Sequence, residues 1–175
     1  MNTNYGTKLN PLDFQEKAFN TFKSKSIAAI FFEQGLGKTK IAIDLMLYWF
    51  EEKALDKMFI VVKKGLVNNW YKEVQKHSFI IPAILSNKPT DNTNLFMSRV
   101  NVIILNYEII LNEFERISEL SKIRKLGVIL DESAKIKNPD AQISKKLHEI
   151  SDSFEKKVIM TGTPSANRPE DYWSQ

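Results

Sequence analysis

Short apolar runs alternate along this chain with stretches whose apolar residues recur at helical spacing. Leu12 to Phe22 sets Phe14, Ala18, Phe19 and Phe22 on one side, which predicts an opening helix. Ser26 to Phe32 is a nearly continuous apolar run, the pattern of a strand buried on both faces. A Gly-rich turn follows, then a helix over Lys40 to Phe50 with Ile41, Leu45 and Tyr48 along one face. The alternation repeats as a strand over Lys57 to Val62 and a helix over Leu66 to Lys76. Phe79 to Leu85 is apolar again, and Pro82 within it marks an edge strand. Ser86 to Asn94 is polar and predicts a loop. Beyond it come a strand over Val100 to Leu105, a helix over Glu108 to Leu120 and a strand over Gly127 to Leu130. A helix over Ala141 to Ile150 and a strand over Lys157 to Met160 complete the pattern.

Strands alternating with helices predict a three-layer α/β/α domain with a mostly parallel central sheet. Crossovers in such a sheet are right-handed, and ligands gather at the carboxyl ends of its strands. The pattern contains no internal repeat, low-complexity tract or linker, so 1–175 reads as one domain, a length that suits one core.

Composition narrows the chemistry. The chain has no Cys and two His, which excludes disulfides, a cysteine nucleophile and Cys/His zinc sites. No apolar run approaches the roughly 18 to 20 residues of a membrane span. The first residues also lack the basic-then-apolar layout of a signal peptide, so a soluble cytoplasmic protein is expected. The net charge of +4 leans towards a polyanionic partner, although solubility alone accounts for such a value in many small domains.

Phe32-Glu33-Gln34-Gly35-Leu36-Gly37-Lys38-Thr39 lies between a predicted strand and a predicted helix, the context a P-loop requires. Backbone N–H groups of such a turn and of the helix start point at phosphate oxygens. Gly35 and Gly37 allow close approach, Lys38 can reach the β- and γ-phosphates, and the Thr39 hydroxyl can ligate Mg²⁺. One departure is Phe32, where the general pattern has its first Gly. A strand–turn–helix carrying an incidental Gly-Lys-Thr is the competing reading.

The second element is Val128-Ile129-Leu130-Asp131-Glu132, an apolar strand ending in two adjacent carboxylates at the same sheet edge. Asp131 is suited to holding Mg²⁺, and Glu132 to polarising an attacking water as general base. An acidic strand end facing solvent is the alternative, weakened by the presence of both elements in this order. Lys63, Lys64, Lys135, Lys137 and Arg168 fall at or near strand-end loops, where they could neutralise nucleic-acid phosphates or simply be solvated. Trp70, spaced with Leu66 and Val74, reads as core or as support for a binding loop. His77 and His148 read as surface or helix-end residues.

EQGLGKT, VILDESAKIKNP and MTGTP, in this order, resemble motifs I, II and III of superfamily-two helicases. The likeness is closest to SWI/SNF-type DNA translocases, whose second motif often continues as Ile-Lys-Asn, here Ile136-Lys137-Asn138. The resemblance implies a RecA-like first lobe that binds ATP and Mg²⁺ through Gln34, Gly35, Leu36, Gly37, Lys38, Thr39 and Lys40. It also implies adenine recognition by Gln15. Segments resembling motifs Ia and Ib place Lys63, Lys64, Asn106 and Tyr107 with Lys137 on the nucleic-acid backbone. Thr161, Gly162 and Thr163 resemble the motif that links nucleotide state to lobe movement, followed by Pro164 and by Glu170 or Asp171 with Trp173-Ser174. Ala134 stands where many relatives carry His, which bears on that coupling and not on the Mg²⁺ or water roles.

In the family a second lobe supplies arginine fingers, and the chain reaches Gln175 shortly after motif III, so a fragment lacking that lobe is expected. The function implied is a DNA-dependent ATPase moving along duplex DNA. Two alternatives stay open: an RNA-dependent helicase lobe, and a nucleotide-responsive binding module without turnover.

Overall fold

The computed structural model describes residues 4–131 and 142–162. The strands among them form one sheet, every pair of neighbours parallel. In chain order the elements are α1 (Asp13–Phe22), β1 (Ile27–Ile30), α2 (Lys38–Glu51), β2 (Lys57–Val62), α3 (Val67–His77) and β3 (Ala83–Ile84). They continue with α4 (Pro89–Met97), β4 (Val102–Asn106), α5 (Tyr107–Asn112), α6 (Phe114–Ser121), β5 (Leu126–Asp131), α7 (Gln142–Ser151) and β6 (Lys156–Met160). A short 3₁₀ turn, Lys64–Leu66, precedes α3.

The strand order β1-β6-β5-β2-β4-β3 explains the layering. The chain moves across the sheet from β1 through β2 to β3, then returns through β4 and β5 to β6. With right-handed crossovers, reversing the direction of travel moves the connecting helices to the other face. Two cores result. Ala18 of α1, most of α2, and Trp70 and Val74 of α3 pack with Met58, Ile60, Val62, Ile104 and Ile129 on one face. Phe96 of α4, Ile110, Ile117 and Ile150 pack with Phe59, Val61, Ile103, Leu105 and Val128 on the other. The central strands are therefore buried on both faces, as β2 and β4 are along their whole length. The expected α/β/α architecture is present, and the sheet is wholly rather than mostly parallel.

Four readings are corrected. The run Ser26 to Phe32 is not buried on both faces: β1 is an edge strand in which Ala28 and Ile30 are buried and Ile27 and Ala29 exposed. Ser86 to Asn94 is not a loop throughout, because α4 starts at Pro89, a residue preorganised for the first turn. Asn92 on it is buried, its side chain donating to Glu113 Oε1 (2.7 Å) and the Ser86 carbonyl (3.0 Å) and accepting from the Ser86 N–H (2.9 Å). Polarity there serves an internal network and not solvent. Glu108 to Leu120 is two helices broken at Glu113, whose buried carboxylate takes Asn92 and Arg116. Finally, His77 ends α3 but is buried and hydrogen-bonded. Pro82 does mark the edge: β3 is two residues long and outermost.

Candidate functional site

The carboxyl ends of β1, β6, β5 and β2 lie side by side, so the residues following them converge. After β1 the chain turns through Gly35 (φ +86°) and Gly37 (φ +68°), left-handed backbone that favours glycine. Gly37 caps the start of α2 without a side chain, and the first N–H groups of a helix have no partner inside it. Lys38 folds back so that its Nζ donates to the carbonyls of Phe32 (2.7 Å) and Glu33 (2.9 Å). Its pKa is lowered by burial, with Asp131 opposing the shift. Phe32 supplies a carbonyl here, which any residue can do. Its ring meets Phe14 of α1 edge-on at 6.5 Å between centroids, which gives the departure from Gly a packing role.

Asp131 ends β5. Its Oδ2 accepts from Trp70 Nε1 at 2.7 Å, and its carbonyl accepts from the Tyr107 hydroxyl, also at 2.7 Å. Burial raises the pKa of this carboxyl, while the Trp70 bond, Lys38 and Lys63 pull it back down. The Tyr107 hydroxyl is pushed well above its ordinary value by burial and by Asp131. Trp70 is thus a buried core residue, and its N–H also reaches the end of β5.

Thr161 and Gly162 follow β6, the neighbour of both β1 and β5. Thr161 is buried, and its N–H donates to the Ile30 carbonyl at 3.4 Å. A Cβ on Gly162 would lie 3.1 Å from Gln34 Cγ and 3.7 Å from Lys38 Nζ, so this turn rests directly on the phosphate cradle.

Gln15 of α1 reaches the cradle from the other side. Its Oε1 accepts from the Leu12 N–H (3.0 Å), and its Nε2 would lie 2.3 Å from a Cβ on Gly37. A cleft of about 450 Å³ opens here, lined by Gln15, Gly35, Gly37, Lys38, Thr39 and Lys40 on one side and by Asn69, Glu73, Lys76 and His77 of α3 on the other. Lys40 is buried, its ammonium paired with Asp44 and donating to Thr7 Oγ1 at 3.2 Å. Gln34 and Leu36 are exposed on the loop.

These residues fit a nucleoside triphosphate with a magnesium ion. The glycine turn leaves open space where a Cβ on Gly35 would stand, and the Lys38 cation rests on neutral carbonyls that a phosphate could replace. Among the described residues no group of three or more His, Asp or Glu could hold a metal without help. Mg²⁺ commonly takes one or two protein groups and completes its shell with phosphate oxygens and water. Thr39 and Asp131 suit that division.

The chain matches the SNF2-related domain over residues 10–175. It belongs to this family. Among curated relatives, the ISWI chromatin-remodeling complex ATPase ISW1 of Saccharomyces cerevisiae is 30% identical over 159 residues, covering 87% of this chain and 14% of that protein. The chromatin structure-remodeling complex protein SYD of Arabidopsis thaliana is 31% identical over 152 residues, covering 81% of this chain and 4% of its own length. The chain therefore spans a small part of the relatives it matches. Of solved structures, the Sulfolobus solfataricus SWI2/SNF2 ATPase core in complex with dsDNA superposes with a TM-score of 0.81 at 22% identity. That match covers 97% of this chain and 36% of the other, and establishes the same fold.

In this SNF2-related domain the described part of the candidate site is Gln15, Gln34, Gly35, Leu36, Gly37, Lys38, Thr39, Lys40, Asp131, Thr161 and Gly162, gathered at one sheet edge. Lys63 stands half-buried beside them, near enough to Asp131 to affect its charge, and Lys64 is exposed one residue on. Asn106 and Tyr107 lie at the end of β4 with their side chains turned to the protein. Asn106 caps α5 by accepting from the N–H groups of Glu108 and Ile109, each at 3.0 Å, and Tyr107 holds Asp131. Glu132, Ala134, Lys135, Ile136, Lys137, Asn138, Thr163, Pro164, Arg168, Glu170, Asp171, Trp173 and Ser174 lie outside the described residues. Sequence reasoning missed the α3 wall of the cleft, although Glu73 and His77, four residues apart, were visible as one polar face of that helix.

Proposed function

We propose that this chain is the ATP-binding lobe of a DNA-dependent ATPase that couples Mg–ATP hydrolysis to movement along duplex DNA. The observation that carries the reading is the meeting of the cradle, Asp131 and the Thr161–Gly162 turn at adjoining strand ends. Lys38 neutralises the transferring phosphates, Thr39 and Asp131 hold Mg²⁺, and Glu132 orients and deprotonates the attacking water. Bound Mg²⁺ supplies Lewis-acid stabilisation of phosphate charge. Trp70 and Tyr107 keep Asp131 in place, one through an oxygen of its carboxylate and the other through its backbone carbonyl.

Gly162 against Gln34 and Lys38 supports coupling, because a shift of the cradle on turnover is felt at this turn. Lys63, Lys64 and Lys137 contact the nucleic-acid backbone, and Asn106 and Tyr107 shape that edge from behind. A relative named an ATPase, a fold shared with a core bound to dsDNA, and the Ile136-Lys137-Asn138 extension favour DNA over RNA. A second lobe, in the same chain or in trans, provides the finger arginines and the other half of the track.

The test is steady-state ATP hydrolysis by the chain, by itself and joined to a second lobe of the family, with duplex DNA, single-stranded DNA or RNA. Turnover by the joined form should be stimulated most by duplex DNA and lost in Lys38→Ala and Glu132→Gln. RNA as the strongest activator, or hydrolysis indifferent to all three, would overturn the reading.

A further inference from the structure

We propose that Glu73, oriented by His77, is a specificity-determining acceptor that reads a hydrogen-bond donor on the nucleoside of the bound nucleotide. This rests on the nucleotide reading above and adds a residue to it.

The cleft has two ends. Gly35, Gly37, Lys38 and Thr39 form the end suited to phosphates, while Gln15 of α1 and Glu73 of α3 are polar groups on opposite walls. A carboxylate repels phosphate, so a triphosphate seated on the cradle is best placed with its nucleoside, not its phosphates, towards α3. A carboxylate is also an acceptor only, so what it can take from a nucleoside is an N–H or an O–H. An acidic side chain reading a ribose hydroxyl is a recurring solution in dinucleotide sites, and an exocyclic amine offers the same chemistry.

Glu73 is built for this role. His77 Nε2 lies 3.1 Å from Glu73 Oε2 across one helical turn. Burial lowers the pKa of His77 despite the neighbouring carboxylate, and Lys40 and Lys76 act in the same direction. The imidazole is therefore neutral near pH 7. Its Nδ1 is buried with no hydrogen-bond partner, which suits a ring whose proton sits on Nε2 and is donated to Glu73. A neutral donor fixes the direction of the carboxylate without cancelling its charge. The other oxygen, Oε1, has Lys76 Nζ at 3.7 Å, a solvated and loose pair of little energetic weight. One acceptor oxygen thus remains for a ligand on the wall of the cleft.

The experiment is equilibrium binding of Mg–ATP, Mg–dATP and Mg–inosine triphosphate to the 175-residue chain and to its Glu73→Ala, Glu73→Gln, Lys76→Ala and Lys38→Ala variants. The wild type should bind ATP at least about tenfold more tightly than one of the two analogues. Glu73→Ala should reduce that ratio towards one with the circular dichroism spectrum unchanged, and Lys76→Ala should preserve it. Should Glu73→Ala fold poorly, Glu73→Gln should also lower the ratio, because its amide oxygen turns to the His77 N–H and its NH2 faces the ligand's donor. A ratio lost for dATP identifies the 2′-hydroxyl, and one lost for inosine triphosphate identifies the 6-amino group; either supports the proposal. A wild type that binds all three alike, or a ratio that Glu73 variants leave intact, overturns it while Lys38-dependent binding still stands. Binding of none of them, or binding unaffected by Lys38→Ala, would instead overturn the nucleotide reading itself.

Discussion

In the proposed reading Asp131 is the residue on which the chemistry turns, and its burial is opposed by three neighbours. Burial favours its neutral form, whereas metal binding needs the carboxylate. Trp70 Nε1, Lys38 and Lys63 each favour the charged form. Trp70→Phe keeps an aromatic ring in the core and removes the N–H, along with part of the indole's volume. The expected loss is at least about 1.5 to 3 kcal/mol of stability, the usual range for a hydrogen bond to a charged group, with a cavity contribution added, measured as a shifted urea midpoint at neutral pH. The same variant should bind Mg–ATP more weakly, because Asp131 loses the donor that orients its carboxylate. Unchanged stability and affinity would remove Trp70 from the site. The Trp70 role shows how far single residues could be read in advance. Its spacing with Leu66 and Val74 marks the buried face of α3, but that its N–H meets the end of β5 depends on how α3 lies across the sheet, which periodicity does not encode.

At the scale of elements, the junction of β1 and α2 is the part most legible in the sequence. Gly-x-Gly-Lys-Thr after an apolar run states its own backbone requirements, and both glycines have the positive φ that explains their presence. Gly37 is doubly constrained. An added Cβ would strain φ +68° and meet Gln15 Nε2 at 2.3 Å. Gly37→Ala should therefore destabilise the domain by about 1 kcal/mol or more, displace Gln15 and weaken ATP binding, as calorimetry and thermal unfolding can determine. Gly35→Ala strains the backbone alone and should leave Gln15 in place. The elements that were misread failed for identifiable reasons. In α4 the polar Asn92 is satisfied inside the protein, so a polar stretch hid a helix. In β1 the apolar run suggested burial on both sides, yet its place at the sheet edge follows from strand order, a global property. The break between α5 and α6 falls at Glu113, whose carboxylate takes Asn92, a partner 21 residues away that a helical repeat does not encode.

Across the whole molecule, the two edges of the sheet do different work. The carboxyl edge gathers the site, and at the amino edge Lys57 ties the start of β2 to the turn ahead of β4. This lysine starts β2, is buried, and donates to the carbonyls of Ser98 (2.7 Å) and Val100 (2.6 Å) ahead of β4. Burial first, and Arg124 second, lower its pKa from 10.5 to about 8, with Asp56 opposing. The folded pKa lies below the unfolded one, so the cost of the buried charge is fully present below about pH 8 and is relieved as pH rises towards 10.5. A neutral amine still has two N–H groups for its two carbonyls. Stability should thus gain a positive contribution between pH 8 and 10 that Lys57→Met abolishes, seen as the difference in urea midpoints between the two proteins. Nucleotide binding at the opposite edge should be unaffected. Strand order, and with it this division of labour, could be anticipated only as a class of fold, whereas the residues of the carboxyl edge could be named. The most direct test of the account is a titration of the chain with Mg–ATP, monitored by calorimetry, alongside Lys38→Ala. Saturable one-to-one binding that the variant loses is the predicted result. Absence of binding by the wild type, or equal binding by both, would contradict it.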